Sequence, residues 1–540
     1  MDLTNFSLLY PDFDTQKAHL RGENLPNIDT FELEELGLAE VFDMKNRELC
    51  EFFTCDPAVM AYRIETFSDM LENPGVAKTL NRLMPILGDV MELRRLDSDS
   101  GSDDTAYLSS ITEIELYISS IETLHSGLSE VRGNLKGRAL STLADYISEL
   151  VDSDYYRQLN EKLTELTNRV REIKSVTVGV NLDAQLRPAE AGVLSINAKP
   201  FRSGDVLEKI LRMNFKDDEY TCIAQLVPFG KKQSENQKTA LSLAFTTAIA
   251  EVYKSSLRSW KKIVQTYILE NTEFLLNLMP EIEFLVKGTE LLAALRERGC
   301  NLCRPVIKPA KEKAFTAFGL YNPCVALKSE GEIITNDLIF DENATIYVLT
   351  GPNRGGKSVI TCALGLAQVM AQLGMFVCAD SLELSPVDAV FTHFPTGADD
   401  TIDKGRLGEE CDRLREVFDV ITPYSLILMD ESFSSTGAYE ASYIAAEVLR
   451  AVSYMGCRCI FSTHLHQLVS EIELINADAE ANGYAKIDTL VAGIETGKRS
   501  FKITRQKPDG KSYARDIALK YGISYDSIIN NFNERSNNKG

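Results

Sequence analysis

The chain has 540 residues, 44% of them hydrophobic, which is enough length for two to four domains and enough apolar material for sizeable cores. Its formal net charge of −22 excludes a general basic footprint, so any nucleic-acid partner has to be held by a local patch. Eleven cysteines stand singly apart from Cys300/Cys303 and Cys457/Cys459, with no secretory leader before them; this predicts a reducing, cytoplasmic setting.

Residues 1–137 read as a helical core region. Short amphipathic segments, with Pro74, Pro85 and several glycines, fill its first ninety positions. The acidic stretch LDSDSGSDDT (96–105) mimics the start of a calcium loop. Ser102 and Leu108 stand where that loop needs Gly and Glu, so a solvated loop is expected. Ile111, Ile114, Ile118, Ile121 and Leu128 then mark one apolar helix face, and His125 falls on it as a packing residue rather than a ligand.

Residues 138–279 read as long lever helices around a small clamp module at about 175–235. Leu159, Leu163, Leu166, Val170 and Ile173 keep helical spacing; Val176, Val178, Val180 and Leu182 then alternate as in a half-buried strand. From Lys231 to Met279 there is neither Gly nor Pro, while Phe245, Ile249, Val252, Leu257, Trp260 and Val264 hold a helical period. A continuous helix there would span roughly 70 Å at about 1.5 Å per residue. Two ordinary helices with an unmarked break satisfy the same pattern. Residues 280–310 are expected to return to the helical core.

Residues 311–540 read as α/β. A strand, ATIYVL (344–349), enters the loop Gly351-x4-Gly356-Lys357-Ser358, and a helix leaves it. In such a loop successive backbone N–H groups and a helix N-terminus face phosphates, the lysine reaches the β and γ oxygens, and the serine hydroxyl ligates Mg²⁺. The expected nucleotide contacts are Gly351, Pro352, Asn353, Arg354, Gly355, Gly356, Lys357, Ser358 and Val359. The apolar window 359–379 has the length of a membrane span, but Gln368 and Gln372 interrupt it. A buried helix running through Gly374 into a strand Met375–Ala379 is expected instead, with no membrane partner. Further on, YSLILMDES (424–432) delivers Asp430 to a strand end as a metal ligand and Glu431 beside it as the base that activates water. A third strand, CRCIFSTHLHQL (457–468), ends in Thr463-His464, and His464 is placed to sense the γ-phosphate. Together these predict an ATPase using ATP and Mg²⁺.

The same residues are similar to the MutS family of DNA mismatch-repair ATPases. The family's loop reads TGPNMGGKST, against TGPNRGGKSV here; its Asp-Glu strand end matches LILMDES, and its later strand matches FSTH. Asn336-Asp337 resembles an Asn-Asp that seats adenine, and GKSYARDIALKYGIS (510–524) is similar to a closing segment of the family. The resemblance implies a multidomain α plus α/β protein: an N-terminal helical core, lever helices with a β-containing clamp tip, and a C-terminal P-loop, ABC-type ATPase domain. It implies a homodimeric clamp on DNA in mismatch repair or related maintenance, with possible repair-pathway partners.

Three departures from the pattern shape the expectation. The family's two leading domains, one of which wedges into mispairs, have no counterpart ahead of the helical region, so DNA is expected to be recognised by structure or shape. Leu407 and Gly408 stand where the family's partner-facing signature has its Ser, although Gly405 and Arg406 remain. Residues 175–237 carry eight basic and eight acidic residues, with Lys209, Arg212, Lys231 and Lys232 as the candidate patch; a neutral tip predicts weak, salt-sensitive binding. The rival reading is the same ATP-driven clamp acting on a protein or ribonucleoprotein partner without DNA.

Overall fold

The computed structural model describes residues 6–100, 106–171, 175–185, 188–197, 199, 272–341, 344–352, 354–395, 405–465, 467–495, 498–507 and 522–529. The chain folds into two compact units: Met1–Leu8 with Glu72–Glu283, and Leu9–Leu71 with Phe284–Gly540. Residues 9–71, which the sequence groups with the helical half, therefore cluster with the C-terminal half.

The first unit is mostly helical. The helices Pro74–Ser100 and Ala106–Ser129 pack as a pair. Ile114, Ile118, Ile121 and Leu128 are buried on the face their spacing marks, and Gly127 lets the helices meet: a Cβ there would lie 1.9 Å from Thr79 Oγ1. Arg94 and Glu113 join the same pair at 2.6 Å. The first helix runs through Ser100, so the acidic stretch begins as helix and not as the solvated loop expected there. Two further helices follow, Arg138–Asp152 and Asp154–Arg171. The alternating valines then form β1 (Ser175–Leu182), paired antiparallel with β2 (Pro188–Asn197). The rest of the clamp module, its basic candidates, and the lever segment up to residue 271 lie outside the described residues.

The second unit is mixed α and β. Strands β3 (Val306–Ile307), β4 (Phe315–Leu320), β5 (Asn336–Phe340) and β7 (Ser381–Leu384) form one sheet in the order β3-β7-β4-β5. The main sheet contains β6 (Ile346–Thr350), β8 (Val390–His393), β9 (Leu426–Asp430), β10 (Arg458–Ser462), β11 (Ile487–Glu495) and β12 (Lys498–Arg505). Its order is β12-β11-β6-β10-β9-β8, parallel except for β12. β6, β9 and β10 are buried at every position, which is why β6 and β9 read as near-continuous apolar runs rather than alternating ones.

The helix Lys357–Gln372 is buried along most of its length. Gln368 and Gln372 are inside it as polar ties: Gln372 Nε2 donates to Val387 O at 3.0 Å and Thr54 O at 3.3 Å, and its Oε1 accepts from Val387 N. Buried amides need such partners; Gln368 Nε2 likewise donates to Gln372 Oε1 and Ser385 O, while its own Oε1 has no hydrogen-bond partner among the described residues. The strand expected at Met375–Ala379 is reduced to a single bridge between Val377 and Cys303, and the regular strand begins later, at Ser381. Among the described residues no helix is long and apolar enough to cross a membrane, and no group of His, Cys, Asp and Glu side chains is arranged to hold a metal ion on its own.

Candidate nucleotide-binding site

β6 ends at Thr350 and the chain turns at once through glycines. Gly351 has φ 140° and lies against β11, where an added Cβ would come within 2.7 Å of Ala492 Cβ; Gly356 has φ 93° and starts the helix. Both positions need a residue without a side chain. Arg354 also takes a left-handed φ, 59°, and is exposed at the loop's outer turn. Asn353 lies outside the described residues.

Lys357, the first helical residue, is only 4% exposed. Its Nζ donates to Gly351 O at 3.2 Å and Pro352 O at 3.4 Å. Burial pulls its pKa down, opposed by the carboxylates of Glu431 and Asp430. The lysine of the loop and the acidic strand end, distant in sequence, therefore meet in space.

Strand order explains how. β10 lies between β6 and β9, and register aligns Leu349, Ser462 and Asp430 in one row at their C-terminal ends. Burial raises the pKa of Asp430, while the Ser358 and Ser462 hydroxyls and Lys357 oppose the shift. Its Oδ1 is buried with no hydrogen-bond partner among the described residues. A buried carboxylate oxygen without a donor is costly unless something positive takes it up. Glu431, next along, has φ 45° and donates its N–H to Ser462 O at 2.8 Å. His464, two residues past β10, is exposed.

Beside the loop is a cavity of about 440 Å³, lined on the loop side by Arg354, Gly355, Gly356, Lys357, Ser358 and Val359 and reached by Glu431. Its other wall is mostly apolar, with Tyr321, Val325, Ile334 and Phe501. That size and mixture suit a flat heterocycle attached to phosphates. Phe501 comes from β12, with φ 55°, and nothing in its local sequence marks it. Asn336 also lines the cavity, but both ends of its amide are engaged: Nδ2 donates to Phe501 O at 3.2 Å and Oδ1 accepts from Ile503 N at 2.7 Å. It acts on the pocket by holding the strand that carries Phe501.

Two further groups that the sequence did not single out sit behind the carboxylates. His393, at the end of β8, contacts Ser432 Oγ through Nδ1 at 2.7 Å and Glu410 O through Nε2 at 3.1 Å. Since a carbonyl only accepts, Nε2 carries the proton and Nδ1 accepts from the serine. Glu410 belongs to the helix Gly405–Val420, which begins with Arg406, Leu407 and Gly408; Arg406 is exposed and Leu407 packs partly buried on the core behind β9 and β10.

Comparison with known proteins finds relatives for both halves of the chain. A family model described as MutS domain V matches residues 347–524, and one described as the MutS2 N-terminal domain matches residues 55–298. A DNA mismatch repair protein MutS from Lactobacillus delbrueckii subsp. bulgaricus is 34% identical over 169 residues, 31% of this chain and 20% of that protein. Msh6 from Gallus gallus is 36% identical over 184 residues, 32% of this chain and 14% of its own length. MutS from Streptococcus mutans is 36% identical over 201 residues, 36% of this chain and 23% of that protein. The chain thus aligns with about a fifth of the length of these curated relatives. The MutS2 N-terminal match precedes the MutS domain V match along the sequence, and the chain is MutS-like over both matched stretches, which together cover most of it.

Proposed function

We propose that the chain binds ATP with Mg²⁺, hydrolyses it, and uses the nucleotide to govern a dimeric grip on DNA, in mismatch repair or related DNA maintenance. One observation carries the nucleotide reading: a buried lysine at a glycine loop faces a buried aspartate whose Oδ1 has no donor, beneath a cavity with an aromatic wall. In this reading the loop's backbone N–H groups and Lys357 hold the phosphates, and Tyr321, Val325, Ile334 and Phe501 enclose the base. Ser358 and Asp430 suit Mg²⁺, which prefers a hydroxyl, one or two carboxylates and the substrate's own oxygens to an all-protein cage. When bound, the ion neutralises phosphate charge as the bridging bond breaks. Glu431 takes the proton of the attacking water. His464, exposed beyond β10, is the candidate γ-phosphate sensor.

DNA is the proposed cargo because relatives that align with about a third of the chain are named as DNA mismatch repair proteins. Recognition by structure or shape is proposed in place of wedging, and the protein-clamp reading has no comparable support. ATP binding and turnover test the enzyme half. Glu431→Ala is expected to retain ATP while losing turnover, and Lys357→Ala to weaken binding itself. Normal turnover in the Glu431 variant would remove the assigned base. Gel shifts with duplex, mismatched and branched DNA at rising salt test the other half, and no shift at low salt with any nucleotide would end the DNA reading.

A further inference from the structure

Glu431 is held in a conformation it would not adopt alone. Its φ of 45° and the φ of 65° at Phe433 put two non-glycine residues in the left-handed region within three positions. Such a conformation is unfavourable for a residue with a Cβ and persists only when its surroundings over-determine it. Ser462 O fixes one amide, that of Glu431. The remaining restraints come largely from a single residue of another element.

That residue is Glu410. Its Oε2 accepts from Phe433 N at 2.6 Å, a short charge-assisted bond onto a strained amide. Its backbone carbonyl accepts from His393 Nε2, and His393 Nδ1 in turn accepts from Ser432 Oγ. Residues 432 and 433 are thus tied to one point on the helix Gly405–Val420 by two routes. The Phe433 ring is wholly buried, 6.0 Å from the His393 ring, in the same core against which Leu407, Cys411 and Leu414 of that helix pack. The turn cannot relax without moving a core aromatic, and the helix cannot shift without releasing the turn.

We infer that Glu410, with His393, is a positioning device that sets Glu431 for hydrolysis and makes turnover depend on where the helix Gly405–Val420 sits. The inference rests on Glu431 being the base. Phosphate binding belongs to a different strand and helix, β6 and Lys357–Gln372, so the device acts on turnover and not on affinity. Whatever presses on the exposed start of the helix at Gly405 and Arg406 then reaches the base through Glu410.

Steady-state ATPase kinetics, equilibrium titration with a fluorescent ATP analogue and amide hydrogen exchange on peptides spanning 431–433 test this in the full chain. Glu410→Ala is expected to lower kcat by roughly 10- to 100-fold, the cost of misplacing a reacting group by about 1 Å. Analogue affinity should stay within about twofold, since phosphate-loop contacts are untouched. Exchange at 431–433 should rise. Glu410→Gln retains an acceptor for Phe433 N and should recover most of kcat and protection; it also serves if the alanine variant folds poorly. A kcat that stays at the wild-type value in folded Glu410→Ala, or an affinity that falls in step with kcat, overturns the inference while the ATPase reading stands. Absence of ATP binding and turnover in the wild type overturns both.

Discussion

Lowering the pH from 7 to 5 probes the buried imidazole behind the carboxylates. His393 is 2% exposed, and burial pushes its pKa down to about 4; the bond to the Glu410 carbonyl works against this and the nearby Arg413 guanidinium with it. In the unfolded chain the same group titrates near 6.5. The folded value is the lower one, so the unfolded state takes up the proton first. Stability from this residue is complete above about pH 6.5 and is lost as the pH falls toward 4. At about 1.4 kcal/mol per pKa unit, the loss between pH 7 and 5 is about 2 kcal/mol. Urea unfolding of the wild type and of His393→Gln at both pH values isolates it, because the other titrating groups are common to the two proteins. The wild-type midpoint should fall by about 0.6 M more than that of the variant, for an m-value of about 3 kcal/mol/M. Equal pH-induced losses in the two proteins would mean that the imidazole is hydrated or already charged in the fold, and the argument would fail.

Gly365 faces Leu36 and Leu428 from the middle of the helix Lys357–Gln372, and an added Cβ would lie 2.5 Å from one and 2.6 Å from the other. Gly365→Ala should therefore cost about 1–3 kcal/mol by overpacking, despite alanine's better helix propensity; a stabilised variant in chemical denaturation would show that the contact is looser. The site's charges make a second prediction. A buried lysine beside two carboxylates offers a triphosphate no net positive charge, and Arg354 at the rim is exposed. Removing Mg²⁺ with EDTA should weaken ATP binding by roughly tenfold or more, read by titration calorimetry; unchanged affinity would show that the loop and Lys357 suffice.

The sequence makes some of this legible and hides the rest for identifiable reasons. The glycine loop is contiguous, and its glycines are dictated by local backbone geometry, so Gly351, Gly356 and Lys357 lie together at the turn from β6 into the helix Lys357–Gln372. Asp430 is readable because a fully buried parallel strand shows as an unbroken apolar run ending in a charge. Phe501, His393 and Glu410 are not readable, because each reaches the site through a pairing that no local period encodes. Phe501 depends on β12 pairing with β11 and on the amide of Asn336; His393 depends on β8 being the outer neighbour of β9. Asn336 shows the same limit from the other side: the family resemblance implies that it seats adenine, and only the tertiary structure reveals an amide also used to hold a strand. The grouping of residues 9–71 with the C-terminal half is hidden likewise. Arg63, entirely buried, donates to Leu9 O, Phe52 O and Leu373 O, a set of carbonyls that the linear sequence scatters.

Strand β10 also carries a residue that side-chain chemistry alone does not mark. Its sequence draws the eye to His464, whose imidazole is the conspicuous functional group, yet that residue is exposed past the strand's end. Ser462 is inconspicuous and fully buried, and it occupies the middle of the row that links Leu349 to Asp430. Its hydroxyl lies 2.7 Å from Thr361 Oγ1 on the helix Lys357–Gln372 and bears on the Asp430 carboxylate, while its carbonyl receives the Glu431 N–H. One small residue thus fixes the spacing between the helix Lys357–Gln372 and the strand that ends in the acids. A longer side chain there would push those elements apart, and an alanine would leave the Thr361 hydroxyl without this partner beside an already under-satisfied carboxylate. Because β10 lies between β6 and β9 in the sheet, a single hydroxyl there reaches both sides of the site.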